Sequence, residues 1–60
     1  MKMELPKDPM ILLSVINTKL RDFYPTLDGL CEDLEVSKKE LTETLGRVGY
    51  EYMEDKNQFV

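Results

Sequence analysis

Few side chains in this 60-residue chain can take part in covalent or proton-transfer chemistry. The sequence contains no histidine and one cysteine, Cys31, so it offers no zinc site and no internal disulfide. The adjacent acids Glu32 and Asp33 point to different sides of a predicted helix and cannot share a proton. The polar turn 54–57 lacks the central glycine and alternating oxygen ligands of a calcium loop. We therefore expect no enzyme, no cofactor, no metal ion and no small-molecule substrate.

A second set of side chains could contact nucleic acid. Four polar residues fall on the outer side of one predicted helix: Lys38, Lys39, Thr42 and Arg47. In a helix-turn-helix, the basic residues would meet phosphates and the threonine a base edge or methyl group. Residues 27–48 nevertheless hold six acids and three bases, and much of the affinity for DNA comes from neutralising phosphates. DNA binding is therefore the alternative function.

A third set of residues indicates a protein interface on the first predicted helix. Ile11 and Val15 lie outside its core-facing side, so either the C-terminal segment or another chain must cover them. Asn17 and Arg21 are four residues apart and face the same way, as a partner-recognition spot would. Their alternative roles, which we favour, are structural: Asn17 would hydrogen-bond the turn between the next two helices, and Arg21 would pair with an acid. The preferred function is a protein interaction or adaptor module that self-associates through this helix, as a homodimer or with a protein partner.

Capping signals predict the first two helices. Asp8 suits the N-cap and Pro9 the first helical position, so the first helix begins there after an extended arm of residues 1–7. Pro25 ends this helix, and Thr26 caps a second helix over residues 27–34. One side of each helix is apolar and forms the expected core: Leu12, Leu13, Ile16, Leu20, Phe23 and Tyr24 in the first, and Leu27, Leu30, Cys31 and Leu34 in the second.

A capping box predicts the third helix. Ser37 and Glu40 have the spacing at which each side chain bonds the other's backbone N–H, so this helix begins at Lys38 after a tight turn. Gly49 supplies the left-handed residue that ends it. The predicted buried stripe is Leu41, Leu45 and Val48. Two helices with so short a connection must converge on a third surface, as in a helix-turn-helix.

The C-terminal residues predict a hairpin. After residue 49 the apolar period changes from 3.6 to two, which indicates strands near residues 50–53 and 58–60. Asn57 tolerates the left-handed conformation that suits the end of the intervening turn. The resulting fold class is mainly α: a three-helix helix-turn-helix domain with a short C-terminal β-hairpin, winged-helix-like, in one domain over residues 1–60.

Composition bears on location and stability. The chain is 42% hydrophobic and 33% charged, which is typical of a globular protein, and its net charge is −4. A domain this short without disulfides often relies on a partner subunit. The apolar run 10–16 is interrupted by Ser14, preceded by Asp8 and followed by no cleavage site. We therefore expect neither export nor membrane insertion, and a cytoplasmic location.

Two stretches of the chain carry a family resemblance. They are LPKDPMILLSVINTKLRDFYPTLDGLC at residues 5–31 and GYEYMEDKNQF at residues 49–59. They resemble a family of small bacterial proteins defined only as a domain of unknown function. The resemblance implies a bacterial cytoplasmic protein of one domain and transfers no catalytic or binding residues. Residues 27–50 resemble more weakly the helix-turn-helix of bacterial winged-helix regulators, in which glycine is frequent at the position of Glu35.

Overall fold

The described part of the chain forms three helices followed by a two-stranded antiparallel hairpin. The structure is a computed structural model and describes residues 5–60. Its elements are α1 (Pro9–Asp22), α2 (Leu27–Leu34), α3 (Lys38–Gly46), β1 (Tyr52–Met53) and β2 (Gln58–Phe59). The predicted mainly α class with a C-terminal hairpin is confirmed. None of the described helices has the length and apolar character needed to cross a membrane.

All three helices begin at the predicted N-caps. Side-chain oxygens of Asp8, Thr26 and Ser37 accept hydrogen bonds from backbone N–H groups two or three residues later, at 2.9, 3.0 and 3.2 Å. The first N–H groups of a helix have no partner within the helix, so each cap satisfies a donor that would otherwise be lost. These local bonds account for the close agreement between predicted and observed helix starts.

The third helix is shorter than the sequence predicts. It ends at Gly46, and residues 47–49 form a turn that closes at Gly49, whose φ is +88°. The predicted burial of Val48 is wrong, because this residue follows the end of the helix and its side chain is exposed. The left-handed residue between α2 and α3 is Glu35, with φ of 56°, a conformation that costs about 1 kcal/mol for a residue with a Cβ.

One core unites the three helices and the hairpin. Side chains from all three helices meet there, and the hairpin contributes a ring that is almost fully enclosed. Leu5 packs against this core, whereas residues 1–4 of the predicted arm lie outside the described residues. The buried apolar residues are Leu12, Ile16, Leu20, Leu27, Leu30, Cys31, Leu34, Leu41, Leu45 and Phe59.

Phe23 does not join this core, and the prediction that it does is wrong. Its side chain is 70% exposed. The backbone leaves the helical path at this residue, with φ of −126° and ψ of −29°, so the helical period no longer sets the direction of the side chain. The ring instead lies beside Lys19, whose Nζ is 5.8 Å from the ring centroid.

The hairpin register leaves one pair of backbone groups directed away from the sheet. Tyr52 pairs with Phe59, and the flanking residues Glu51 and Val60 exchange two backbone hydrogen bonds of 3.0 and 2.9 Å. Hydrogen-bonded and non-hydrogen-bonded pairs alternate along an antiparallel ladder. The N–H and C=O of Phe59 therefore point outward from β2 and need a partner elsewhere.

The two phenylalanines provide a matched test of this core. Phe59 is 2% exposed and Phe23 is 70% exposed. We expect Phe59→Ala to lower the free energy of unfolding by about 3–5 kcal/mol, because it removes a buried ring and leaves a cavity. Phe23→Ala should change it by less than about 0.5 kcal/mol. Urea denaturation at low protein concentration measures both, and equal losses would contradict the assignment of the core.

Candidate interaction surfaces

The outward side of α1 carries the apolar residues singled out as a candidate interface. Ile11 is 55% exposed, while Val15 is half-buried. The sequence left two possible covers for Ile11 and Val15, the hairpin or another chain. The hairpin packs on a different side of α1, where β2 meets the helix, so it leaves Ile11 exposed.

Asn17 fixes the hairpin in that position. Its Oδ1 accepts from the N–H of Phe59 at 2.8 Å, and its Nδ2 donates to the C=O of the same residue at 3.1 Å. A side-chain amide thus takes the place of a neighbouring strand along the outer edge of β2. Both bonds are partly buried, so each contributes more than an equivalent bond in open solvent.

This contact corrects the structural role expected for Asn17. The residue binds the hairpin, not the turn between α2 and α3, because the outward groups of β2 lie directly against its helix face. Arg21 has the expected acidic partner, which is its neighbour Asp22, at 2.9 Å from Nε. The guanidinium lowers the pKa of Asp22 through this hydrogen bond. Arg21 remains largely exposed at the helix surface.

A second amide, Asn57, ties the hairpin turn to the end of α1. Its Nδ2 donates to the backbone C=O of Leu20 and of Tyr24, at 3.0 and 2.8 Å. The Leu20 carbonyl lies in the last turn of α1, where carbonyls lack partners within the helix, and the Tyr24 carbonyl lies just beyond the helix end. Its Oδ1 accepts from the hydroxyl of Tyr52 at 2.5 Å, and that hydroxyl accepts from the N–H of Leu27 at 3.3 Å. From the sequence we predict only that Asn57 tolerates a left-handed conformation. The structure confirms this prediction, because φ of Asn57 is 51°.

Three of the four candidate nucleic-acid contacts lie on α3, whereas Arg47 directly follows its end, and two of the four are already engaged. Lys38 pairs with Asp28 at 2.8 Å, and this hydrogen bond raises the pKa of the lysine. The hydroxyl of Thr42 donates to carbonyls of its own helix, at 2.9 and 3.0 Å. Lys39 and Arg47 are exposed. Phosphate contact by Lys38 would have to compete with its carboxylate partner.

Two further titratable groups, the Cys31 thiol and the Tyr24 hydroxyl, have a raised pKa because of the residues packed around them. Burial raises the pKa of the Cys31 thiol, which keeps it protonated as a core residue. The hydroxyl of Tyr24 donates to Asp33, and this hydrogen bond raises the pKa of the tyrosine. Among the described residues, no three His, Cys, Asp or Glu side chains lie close enough to hold a metal ion.

The comparison with protein families agrees with the resemblance read from the sequence. Residues 6–59 match the model of a domain of unknown function, DUF4250. The chain belongs to the DUF4250 family. The comparisons with curated proteins and with solved structures found no match. For this DUF4250 chain, any account of function therefore depends on its own surfaces.

The role of Asn17 in this DUF4250 fold can be separated from a role in binding. We expect Asn17→Ala to lower the free energy of unfolding by about 1–3 kcal/mol, because the partly buried N–H and C=O of Phe59 lose their partner. Thr18→Ala, at an exposed position of the same helix, is the control and should have little effect. Thermal melting of both variants provides the measurement. An unchanged melt for Asn17→Ala would instead favour a recognition role.

Proposed function

We propose that this protein is a non-enzymatic interaction or adaptor module that self-associates through α1. The observation that carries the proposal is the exposure of Ile11 on a side of α1 that contacts neither the core nor the hairpin. Exposed apolar surface, here Ile11 beside the half-buried Val15, occurs at protein contact sites. The cytoplasmic location expected from the sequence stays a prediction.

The energy available from this surface favours a weak and reversible contact. Full burial of an isoleucine side chain contributes about 1.5–3 kcal/mol, and Ile11 still has about half of that to gain. Two copies with a net charge of −4 each also repel one another, and added salt screens that repulsion. Such a module associates at high local concentration and dissociates on dilution, as an adaptor requires.

DNA binding is the second candidate, and the exposed bases of α3 are what favours it. Lys39 lies on the helix that would enter the major groove if α2 and α3 act as a helix-turn-helix, and Arg47 directly follows the end of that helix. The ion pair between Lys38 and Asp28 reduces the charge available for phosphates. Titration with random duplex DNA at about 50 mM salt tests this candidate, since non-specific affinity is greatest at low salt. Failure to bind there would eliminate it.

Self-association predicts a specific dependence on Ile11. Sedimentation velocity over a wide concentration range should show a mean mass that rises with concentration, and more steeply at higher salt. Ile11→Ser should raise the dissociation constant about 30-fold to 100-fold, since about 1–1.4 kcal/mol of burial is lost from each of the two copies. Met53→Ser, which removes an exposed apolar side chain of the hairpin, is the matched control.

Two results would contradict the proposal. One is a wild-type protein that stays monomeric at millimolar concentration. The other is an Ile11→Ser variant that associates as strongly as Met53→Ser, which would move the contact away from α1.

A further inference from the structure

A groove with a volume of about 740 Å³ lies between one side of α1 and the hairpin. Residues 56–58 line it from the hairpin. The residues that line it from this side of α1 are spaced by three or four and are Met10, Ser14, Asn17 and Arg21. Ile11 lies about 100° around the helix from Met10, so the groove is separate from the proposed self-association contact.

Two side-chain amides hold the walls of this groove together. Asn17 bonds the backbone of Phe59, and Asn57 bonds the carbonyl of Leu20. Because the Asn17 amide already occupies the outward N–H and C=O of β2, a partner cannot add to this edge as a further strand. A ligand in the groove is therefore recognised through side chains.

The charged side chains that line the groove, Arg21 and Lys56, are both positive. A guanidinium has five N–H donors, and Asp22 accepts two of those of Arg21, at 2.9 and 3.0 Å, so three remain for a ligand. Lys56 forms no ion pair with any residue in the described part of the chain. The acids next to these bases in the sequence, Asp22 and Asp55, do not line the groove. One end of the groove is therefore basic on a chain whose net charge is −4.

The other end of the groove is apolar. Met10, at this end, is 51% exposed, and Leu13 beside it is half-buried. At a rise of about 1.5 Å per residue, Met10 and Arg21 are about 16 Å apart along the helix. An extended peptide covers that distance with about five residues. The groove thus offers an apolar contact and a basic contact at the two ends of a short peptide.

We propose that this groove binds an extended acidic peptide segment of a protein partner. Carboxylates of the segment accept charge-assisted hydrogen bonds from Arg21 and Lys56, and an apolar side chain about five residues away packs on Met10. The negative net charge of the chain repels such a ligand at long range, but the Debye length at physiological ionic strength is about 8 Å. The charges in direct contact therefore determine binding. This goes beyond self-association, because it gives the module a second surface for a different protein.

Fluorescence anisotropy at physiological ionic strength tests this proposal. The probe is a labelled peptide with four alternating aspartates and glutamates between two pairs of leucines. Arg21→Gln and Lys56→Gln should each raise its dissociation constant about twofold to fivefold, because each removes one exposed ion pair with the peptide. Lys39→Gln, an exposed position on α3 with the same change in net charge, is the matched control and should leave the constant unchanged. Thermal melts establish that all three variants fold.

A second measurement locates the contact without any substitution. Titration of the unaltered protein with the same peptide should shift the backbone amide NMR signals of residues 10–21 and 56–58 most strongly. A peptide with asparagine and glutamine in place of the acids should bind several-fold more weakly. Shifts confined to α3, equal affinity for the neutral peptide, or no binding at millimolar peptide would each overturn the proposal.

Two further comparisons separate this proposal from its rivals. A single-stranded DNA oligomer that binds more tightly than the peptide, and is weakened by the same two substitutions, would overturn the proposal and assign the groove to nucleic acid. Ile11→Ser should leave peptide affinity unchanged. A wild-type protein that binds the peptide and stays monomeric would contradict self-association alone, whereas one that associates without binding the peptide would contradict the groove proposal alone.

Discussion

The rest of the structure depends on the pair of hydrogen bonds between the Asn17 amide and the backbone of Phe59. A two-stranded hairpin is at best marginally stable by itself, and this one has only two paired residues in each strand. Its attachment to α1 supplies the stability that the short ladder of backbone hydrogen bonds lacks. The amide satisfies the outward groups of β2, and the same anchoring buries the Phe59 ring among the helices. The polar bond and the apolar burial therefore reinforce one another.

The position of the hairpin in turn determines which surface of α1 is available. β2 meets α1 at Asn17, and the hairpin turn meets the end of α1 through Asn57. The hairpin thus extends along one side of the helix. Ile11 lies away from this contact and is exposed. The position of the hairpin therefore leaves Ile11 uncovered, and this connects the architecture to the proposed interaction.

The parts of the fold that follow local rules could be predicted from the sequence. Each N-cap acts over two or three residues, so Asp8, Thr26 and Ser37 were sufficient to place the helix starts. Phe23 and Val48 were misassigned because the helical period was extended past the residues where the helices end. The observed helix ends depend on turns whose geometry is set by tertiary contacts. The periodicity of apolar residues carries no information about those contacts.

The candidate site was predictable only in part, because some of its contacts join residues that are far apart in the sequence. The surplus apolar character of Ile11 and Val15 is visible in the periodicity of α1. The partner of Asn17 is 42 residues away in the chain, and the backbone partners of Asn57 are 33 and 37 residues away. Such bonds appear only once the helices and the hairpin are packed, and no local pattern distinguishes these amides from surface ones.

Native-state hydrogen exchange at the amide of Phe59 tests the central claim most directly. This N–H points away from β1, so Asn17 is the acceptor that protects it. The account predicts that it exchanges nearly as slowly as the amides of the core helices. Exchange as fast as that of exposed amides in the hairpin turn, such as Asp55, would contradict the account, because the hairpin would then be held without this anchor.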